Sequence, residues 1–193
     1  MRILGIDPGL VRTGWAVVEP SADAPPASIG RVSVVGHGLI APPAAEDLPS
    51  RLAEGASGLR EVLAKYTPTA AALEEIFTAP RHPRSALLMA HMRGVICLVL
   101  QEAGVPVLPL TATTVKQRLT GSGHASKSQI QRMVLRLTGL TRTPGMRWDE
   151  SDALALAIAG LSQIALPRRG QAPATLAARR ISPALQAVLA RRR

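Results

Sequence analysis

Four acidic positions stand at the ends of apolar segments that lie far apart in this chain. Asp7 closes the run Ile3-Leu4-Gly5-Ile6, and Glu74 closes Ala70-Ala71-Ala72-Leu73. Asp149 and Asp152 stand three apart, just ahead of the apolar stretch Ala153 to Leu161. A carboxylate at the end of a buried element is costly unless a positive charge offsets it. Each position also has an ordinary reading. Asp before Pro-Gly starts turns, acids in a first helical turn are favoured by the dipole and by capping, and Glu74 fits an exposed strand end. The combination carries more: two carboxylates from strand ends and two from one face of a helix, where positions three apart meet. Such a cluster repels itself without a cation. A hard divalent ion prefers oxygen ligands, so the pattern predicts a shared metal site.

The charge distribution says what that site faces. The chain of 193 residues carries a formal charge of +10, which points to an acidic partner. Between Ile76 and Trp148 the only acid is Glu102, against ten Arg or Lys. The acids return in the brackets, Glu74 and Glu75 on one side and Asp149, Glu150 and Asp152 on the other. A solvated basic surface gives the same count. With the carboxylates beside it, however, the segment fits cleavage of nucleic acid. The single Cys97, in the apolar run Val95 to Leu100, excludes a disulfide framework or a Cys-based zinc site and reads as a buried inert thiol. The four His are scattered and most read as surface or loop residues, and no phosphate loop of the G-x-x-x-x-G-K-[ST] kind is present. The start Met1-Arg2-Ile3-Leu4 reads as no signal peptide, and no apolar stretch is long enough to span a bilayer. A cytoplasmic protein without membrane partners is expected.

Strands are predicted over Arg2 to Ile6, Thr13 to Glu19, Arg31 to Ala41, Thr69 to Glu74 and Val105 to Leu108. Helices are predicted over Pro49 to Tyr66, Pro83 to Ala103, Thr111 to Thr120, Ala125 to Leu137 and Asp149 to Leu166. Three strands in a meander followed by strands alternating with helices imply an α/β fold, a five-stranded mixed sheet flanked by helices. The Pro83 to Ala103 helix is apolar on several faces, more than one sheet face covers. From Pro167 to Arg193 there are seven Arg and no acid in an Ala- and Pro-rich stretch, which reads as a basic tail after a domain of residues 1–166.

Four motifs in order carry a resemblance. They are Gly5-Ile6-Asp7-Pro8-Gly9, Leu73-Glu74-Glu75-Ile76-Phe77, Val115-Lys116-Gln117 with Gly121 to Lys127, and Asp152-Ala153-Leu154-Ala155. Together they resemble the RuvC family of bacterial Holliday-junction resolvases, from about Arg2 to Leu166. The resemblance implies an RNase H-like fold, a homodimer and symmetric nicking of four-way DNA junctions in recombination and repair. It implies two Mg²⁺ ions per active site, with Mn²⁺ as a substitute, and partnership with the branch-migration complex RuvA and RuvB. It makes Asp7, Glu74, Asp149 and Asp152 the catalytic metal ligands. Lys116 and Lys127 fall where the family carries basic residues close to the scissile strand. Phe77 falls where an aromatic presses into the junction, although core packing is the default for Phe. Arg81, Arg84 and Arg118 are further DNA-binding candidates of the basic segment. The Pro20 to Ser28 loop and the Arg-rich tail depart from the family's shorter forms.

Three other readings compete. An actin- or hexokinase-like ATPase requires a second Gly-rich phosphate loop, which the sequence lacks. A non-catalytic junction-binding protein on the same fold fits best if a carboxylate is missing, and all four are present. An RNase H-like nuclease with another nucleic-acid substrate uses the same basic segment.

Overall fold

Side-chain alternation along two short strands decides which side of the molecule carries the chemistry. In β1 (Ile3–Asp7), Leu4 and Ile6 enter one apolar cluster while Ile3 enters the other. In β4 (Ala70–Glu74), Ala71 and Leu73 join the first cluster and Ala70 and Ala72 the second. Successive strand residues point to opposite faces, so Asp7 and Glu74 both fall on the side of Ile3 and Ala72. The two strands run parallel, with Ile6 opposite Leu73, and both acids therefore emerge at the same edge.

The computed structural model describes residues 1–22, 31–75, 83–140 and 148–165. Most of the expected Pro20 to Ser28 loop, Phe77, Arg81 and the 167–193 tail lie outside the described residues, as does the side chain of Arg84. The sheet has five strands in the order β3-β2-β1-β4-β5. β2 (Thr13–Pro20) and β3 (Val32–Ile40) complete an antiparallel meander with β1, and β5 (Val107–Leu110) pairs parallel with β4. Helices α1 (Leu48–Tyr66) and α2 (Pro83–Glu102) cover one face. Helices α3 (Ala112–Thr120), α4 (Lys127–Thr138) and α5 (Trp148–Ala165) cover the other. This is the predicted mixed sheet between helical layers.

Helix boundaries follow their caps. Asp47 accepts from the Ser50 amide at 2.9 Å and starts α1. Thr111 starts α3 the same way, accepting from the Thr114 amide. Ser126 and Gln129 form a reciprocal capping box, so α4 begins at Lys127 rather than at the predicted Ala125.

Three expectations shift. β5 starts two residues later than predicted, because the Val105 amide donates back to Leu100 at the end of α2 and the Ala71 amide takes the carbonyl of Pro106. Pro109 is tolerated because β5 is the sheet's outer strand among the described residues. Cys97 is half-buried rather than buried. On α2, Met92, Ile96, Val99 and Leu100 are consumed by the molecule's own core, whereas Leu87 and Leu98 stand exposed at 61% and 57%.

Helix α5 lies unusually close to the sheet, and glycine is the reason. A Cβ on Gly5 would stand 2.1 Å from the Ala153 carbonyl oxygen, and one on Gly14 would stand 2.2 Å from that of Asp149. Ala153, Ala157 and Ala159, all fully buried, keep the helix side of this contact thin. The close approach brings the first turn of α5 over the ends of β1 and β2.

Candidate active site

A cavity of about 290 Å³ opens at the edge where β1 and β4 end. Asp7, Glu74 and Asp152 line it together with Lys116 and Lys127. Ala112, Val115, Ile130, Ala155 and Leu156 form its apolar wall. Each charged residue comes from a different element. β1 supplies Asp7, β4 Glu74, α3 Lys116, α4 Lys127 and α5 Asp152.

The electrostatics are those of crowded acids in an apolar setting. Burial, reinforced by the charges of Asp152, Glu74 and Asp149, pushes Asp7 up from 3.8 to about 7, with Lys127 opposing. Burial and then Asp152 also raise Glu74, against the pull of Lys127 and Lys116. Lys127 Nζ donates to Asp152 Oδ2 at 2.8 Å. The strand ends are held from behind. Arg93 Nε on α2 donates to the Glu74 carbonyl at 3.1 Å. The turn after Asp7 is closed by Thr13, a buried residue whose hydroxyl donates to the Gly9 carbonyl at 2.9 Å and accepts from the Gly9 amide at 3.4 Å.

The four predicted carboxylates are not equivalent. Asp149 is absent from the residues lining the cavity. It lies over Gly14, the cross-strand partner of Asp7, and acts on Asp7 through its charge. Among the described residues no three His, Cys, Asp or Glu side chains already close round one point as a ligand set. Asp152 is engaged by Lys127 instead. The donor chemistry nevertheless fits a hard divalent cation: carboxylate oxygens only, partly desolvated and mutually repelling.

Of the basic candidates, Lys116 and Lys127 reach the cavity and Arg118 does not. Arg118 Nη1 donates to the buried Ser162 of α5 at 3.4 Å. Residues two apart on a helix do not share a face, so Lys116 and Arg118 cannot both point inward; the spacing alone carried that signal. Phe77 and Arg81 are outside the described residues, and Arg84 falls in the first turn of α2. Sequence reasoning missed Thr13, Arg93 and His37. His37, on β3, meets Glu150 of α5 at 2.6 Å. Arg93 and His37 have no local sequence signal, because each acts across a long-range contact, whereas Thr13 acts only four residues away, on Gly9.

The sequence profile described as crossover junction endodeoxyribonuclease RuvC matches residues 3–160. The RuvC protein of Syntrophomonas wolfei is 38% identical over 177 residues, covering 92% of this chain and 98% of the relative. That of Rhodopirellula baltica is 43% identical over 158 residues, covering 82% and 84%. Among solved structures, Thermus thermophilus RuvC superposes with a TM-score of 0.75 at 29% identity, over 84% of this chain and 95% of that one. Its complex with a Holliday junction substrate gives 0.73 at 31% identity, over 82% and 92%. The yeast mitochondrial Holliday junction resolvase, at 16% identity and a TM-score of 0.59 over 83% and 77%, shares the fold.

Proposed function

The chain belongs to the RuvC family of crossover junction endodeoxyribonucleases, and on that footing we propose that it resolves four-way DNA junctions by paired, metal-dependent nicking in recombination and repair. The observation that carries this reading is the meeting of Asp7, Glu74 and Asp152 with Lys116 and Lys127 around one cavity. Residues 1–166 form the nuclease domain in this reading, and 167–193 a basic tail.

Asp7, Glu74 and Asp152, with Asp149 beside Asp7, are the residues that would hold two Mg²⁺ ions, or Mn²⁺ in their place. Such an ion pair, when bound, activates water and stabilises the leaving oxygen of a phosphodiester displacement. The protein's own part is positioning and charge. Asp7 and Glu74 sit on adjacent parallel strands, so backbone hydrogen bonds fix their separation. Asp7 sheds its proton near neutral pH to become a ligand. Lys127 and Lys116 face the cavity from a second helical pair and are placed to take the charge of a backbone phosphate. The apolar wall of Val115, Ile130 and Leu156 limits water around these groups.

Two strands related by a two-fold axis require two such sites, which a C₂ homodimer supplies. Leu87, His91, Gly94 and Leu98 are exposed on α2 at helical spacing. A Cβ on Gly94 would meet nothing within 4 Å, so a second copy's helix could approach closely there. A dimer through α2 therefore belongs to the proposal, as do work with the RuvA and RuvB branch-migration complex and a cytoplasmic location. Among the described residues no helix is long and apolar enough to cross a membrane.

The test is direct. Purified protein with Mg²⁺ is given synthetic four-way junctions beside linear duplex of the same sequence. Paired nicks on the junction alone are expected. Equal cutting of both substrates would reassign the enzyme to another nucleic-acid substrate, and tight binding without cutting would leave a non-catalytic junction binder.

A further inference from the structure

His37 lies on β3, at the far side of the sheet from the cavity strand β4. Its cross-strand partner is Ala16, a buried residue of the cluster that α5 covers. Directly paired residues on antiparallel strands share a face, so His37 projects toward α5. There its Nδ1–H donates to Glu150 Oε2 at 2.6 Å. The Glu150 side chain is largely covered, 13% exposed, whereas His37 stands at the surface with its side chain 32% exposed. It spans 113 residues of sequence and joins the sheet's outer strand to the first turn of α5.

Glu150 follows Asp149 directly and precedes Asp152 by two. Consecutive helical residues are rotated about 100° from each other. Holding Glu150 toward β3 therefore fixes the rotation of the whole first turn. Asp149 is then left over Gly14 of β2, where its charge reaches Asp7, and Asp152 is turned into the cavity. The contact at Gly14 sets how near the helix comes, and the contact at His37 sets which way its acids face.

We infer that His37 is a positioning residue: through Glu150 it sets the rotation of the α5 first turn and so aims Asp149 at the metal site. The inference rests on the proposed ligand role of Asp149. Neither His37 nor Glu150 lines the cavity, so in this inference His37 acts on chemistry through the helix.

The experiment uses the full chain and four variants: His37→Ala, His37→Asn, Asp149→Asn and the His37→Ala/Asp149→Asn double. The readouts are Mn²⁺ binding by calorimetry, junction affinity in EDTA and the single-turnover nicking rate. His37→Ala should weaken Mn²⁺ binding and slow nicking by about 10-fold or more, the usual effect of losing a group that orients a ligand. Junction affinity should stay unchanged. His37→Asn, whose amide nitrogen can reach the place of Nδ1, should recover most of the loss, which a general folding defect would not. In the Asp149→Asn background the loss from His37→Ala should shrink, since part of its effect runs through that carboxylate. Wild-type Mn²⁺ binding and nicking in His37→Ala, no recovery by Asn, or a full additional loss in the double variant would each overturn the inference. If Asp149→Asn alone behaves as wild type, the ligand role of Asp149 fails and the His37 inference fails with it. A dead Asp149→Asn beside an unaffected His37→Ala removes only the latter.

Discussion

Lys127 Nζ lies 2.8 Å from Asp152 Oδ2, binding the first residue of α4 to the α5 carboxylate that lines the cavity. Their side chains are 56% and 32% exposed, so the pair adds little to stability, about 0–1 kcal/mol. Its weight is in the site, where the Lys127 charge opposes the crowding that raises Asp7 and Glu74. Lys127→Ala should leave the melting temperature within a few degrees of wild type and reduce single-turnover nicking by about 10². Lys127→Arg should restore only part of this, because a planar guanidinium does not replace a compact ammonium. Wild-type turnover in Lys127→Ala would remove the residue from the catalytic machinery.

The metal-free protein should lose stability as pH rises from about 4 to about 7. Asp7 has its folded value raised from 3.8 to about 7 by burial and by the acids around it. In that window the folded state keeps a proton that the unfolded state has released. Stability then falls with pH, because the native state binds more protons. Glu74, also raised by burial and by Asp152, acts in the same direction. Thermal melts in EDTA across this range should slope downward, and Asp7→Asn should flatten much of the slope. The same proton competes with metal, so Mn²⁺ affinity should rise with pH up to about 7. A melting temperature that climbs through the window would contradict the assignment.

Gly5→Ala should destabilise the fold strongly, and Gly14→Ala should damage the site first. At Gly5 the added methyl meets the α5 backbone at Ala153 and Ala157 in the middle of the helix, where nothing flexible can yield. A loss of about 3 kcal/mol is expected, at the upper end for overpacking, read from urea unfolding. At Gly14 it meets the Asp149 backbone at the helix start, where a first turn can lift. Gly14→Ala should therefore fold, bind junctions and nick poorly. Equal stability losses in the two variants would mean that the α5 start is as rigid as its middle.

Leu98→Glu should convert a dimer to a monomer without unfolding it. Leu98 is 57% exposed in the single chain, so a charge there costs little until a second copy covers it. Sedimentation equilibrium at micromolar concentration reads the outcome. The monomeric variant should cut junctions in single rather than paired nicks. A wild-type chain that sediments as a clean monomer and still makes paired cuts would sink the α2 interface.

The strand acids were legible because period-two alternation is local. Leu4, Ile6, Ala71 and Leu73 mark one face, and the next residue along must turn to the other. The Asp152 helix was legible from spacing and from the apolar run behind it. Its partner Asp149 was only half legible. Residue type and spacing placed it near the site, but its standing over Gly14 and off the cavity wall depends on how closely α5 meets the sheet. The start of β5 was ambiguous because Val105 to Leu110 is one apolar run broken only by prolines; hydrogen bonding to α2 and β4 chooses the register. The pairings of His37 with Glu150 and Arg93 with Glu74 join distant segments, and no local pattern announces them.

The order in which the site's parts are made has its own consequence. Asp7 belongs to the first strand and Asp152 to the last described helix, so synthesis delivers Asp7 well before Asp152. A nascent chain that has already formed the meander and the parallel strands holds Asp7 and Glu74 but lacks both α5 carboxylates. A one-residue slip of β4 would turn Glu74 to the opposite face. On the proposed ligand roles, cutting power therefore arises only in a finished, correctly registered molecule.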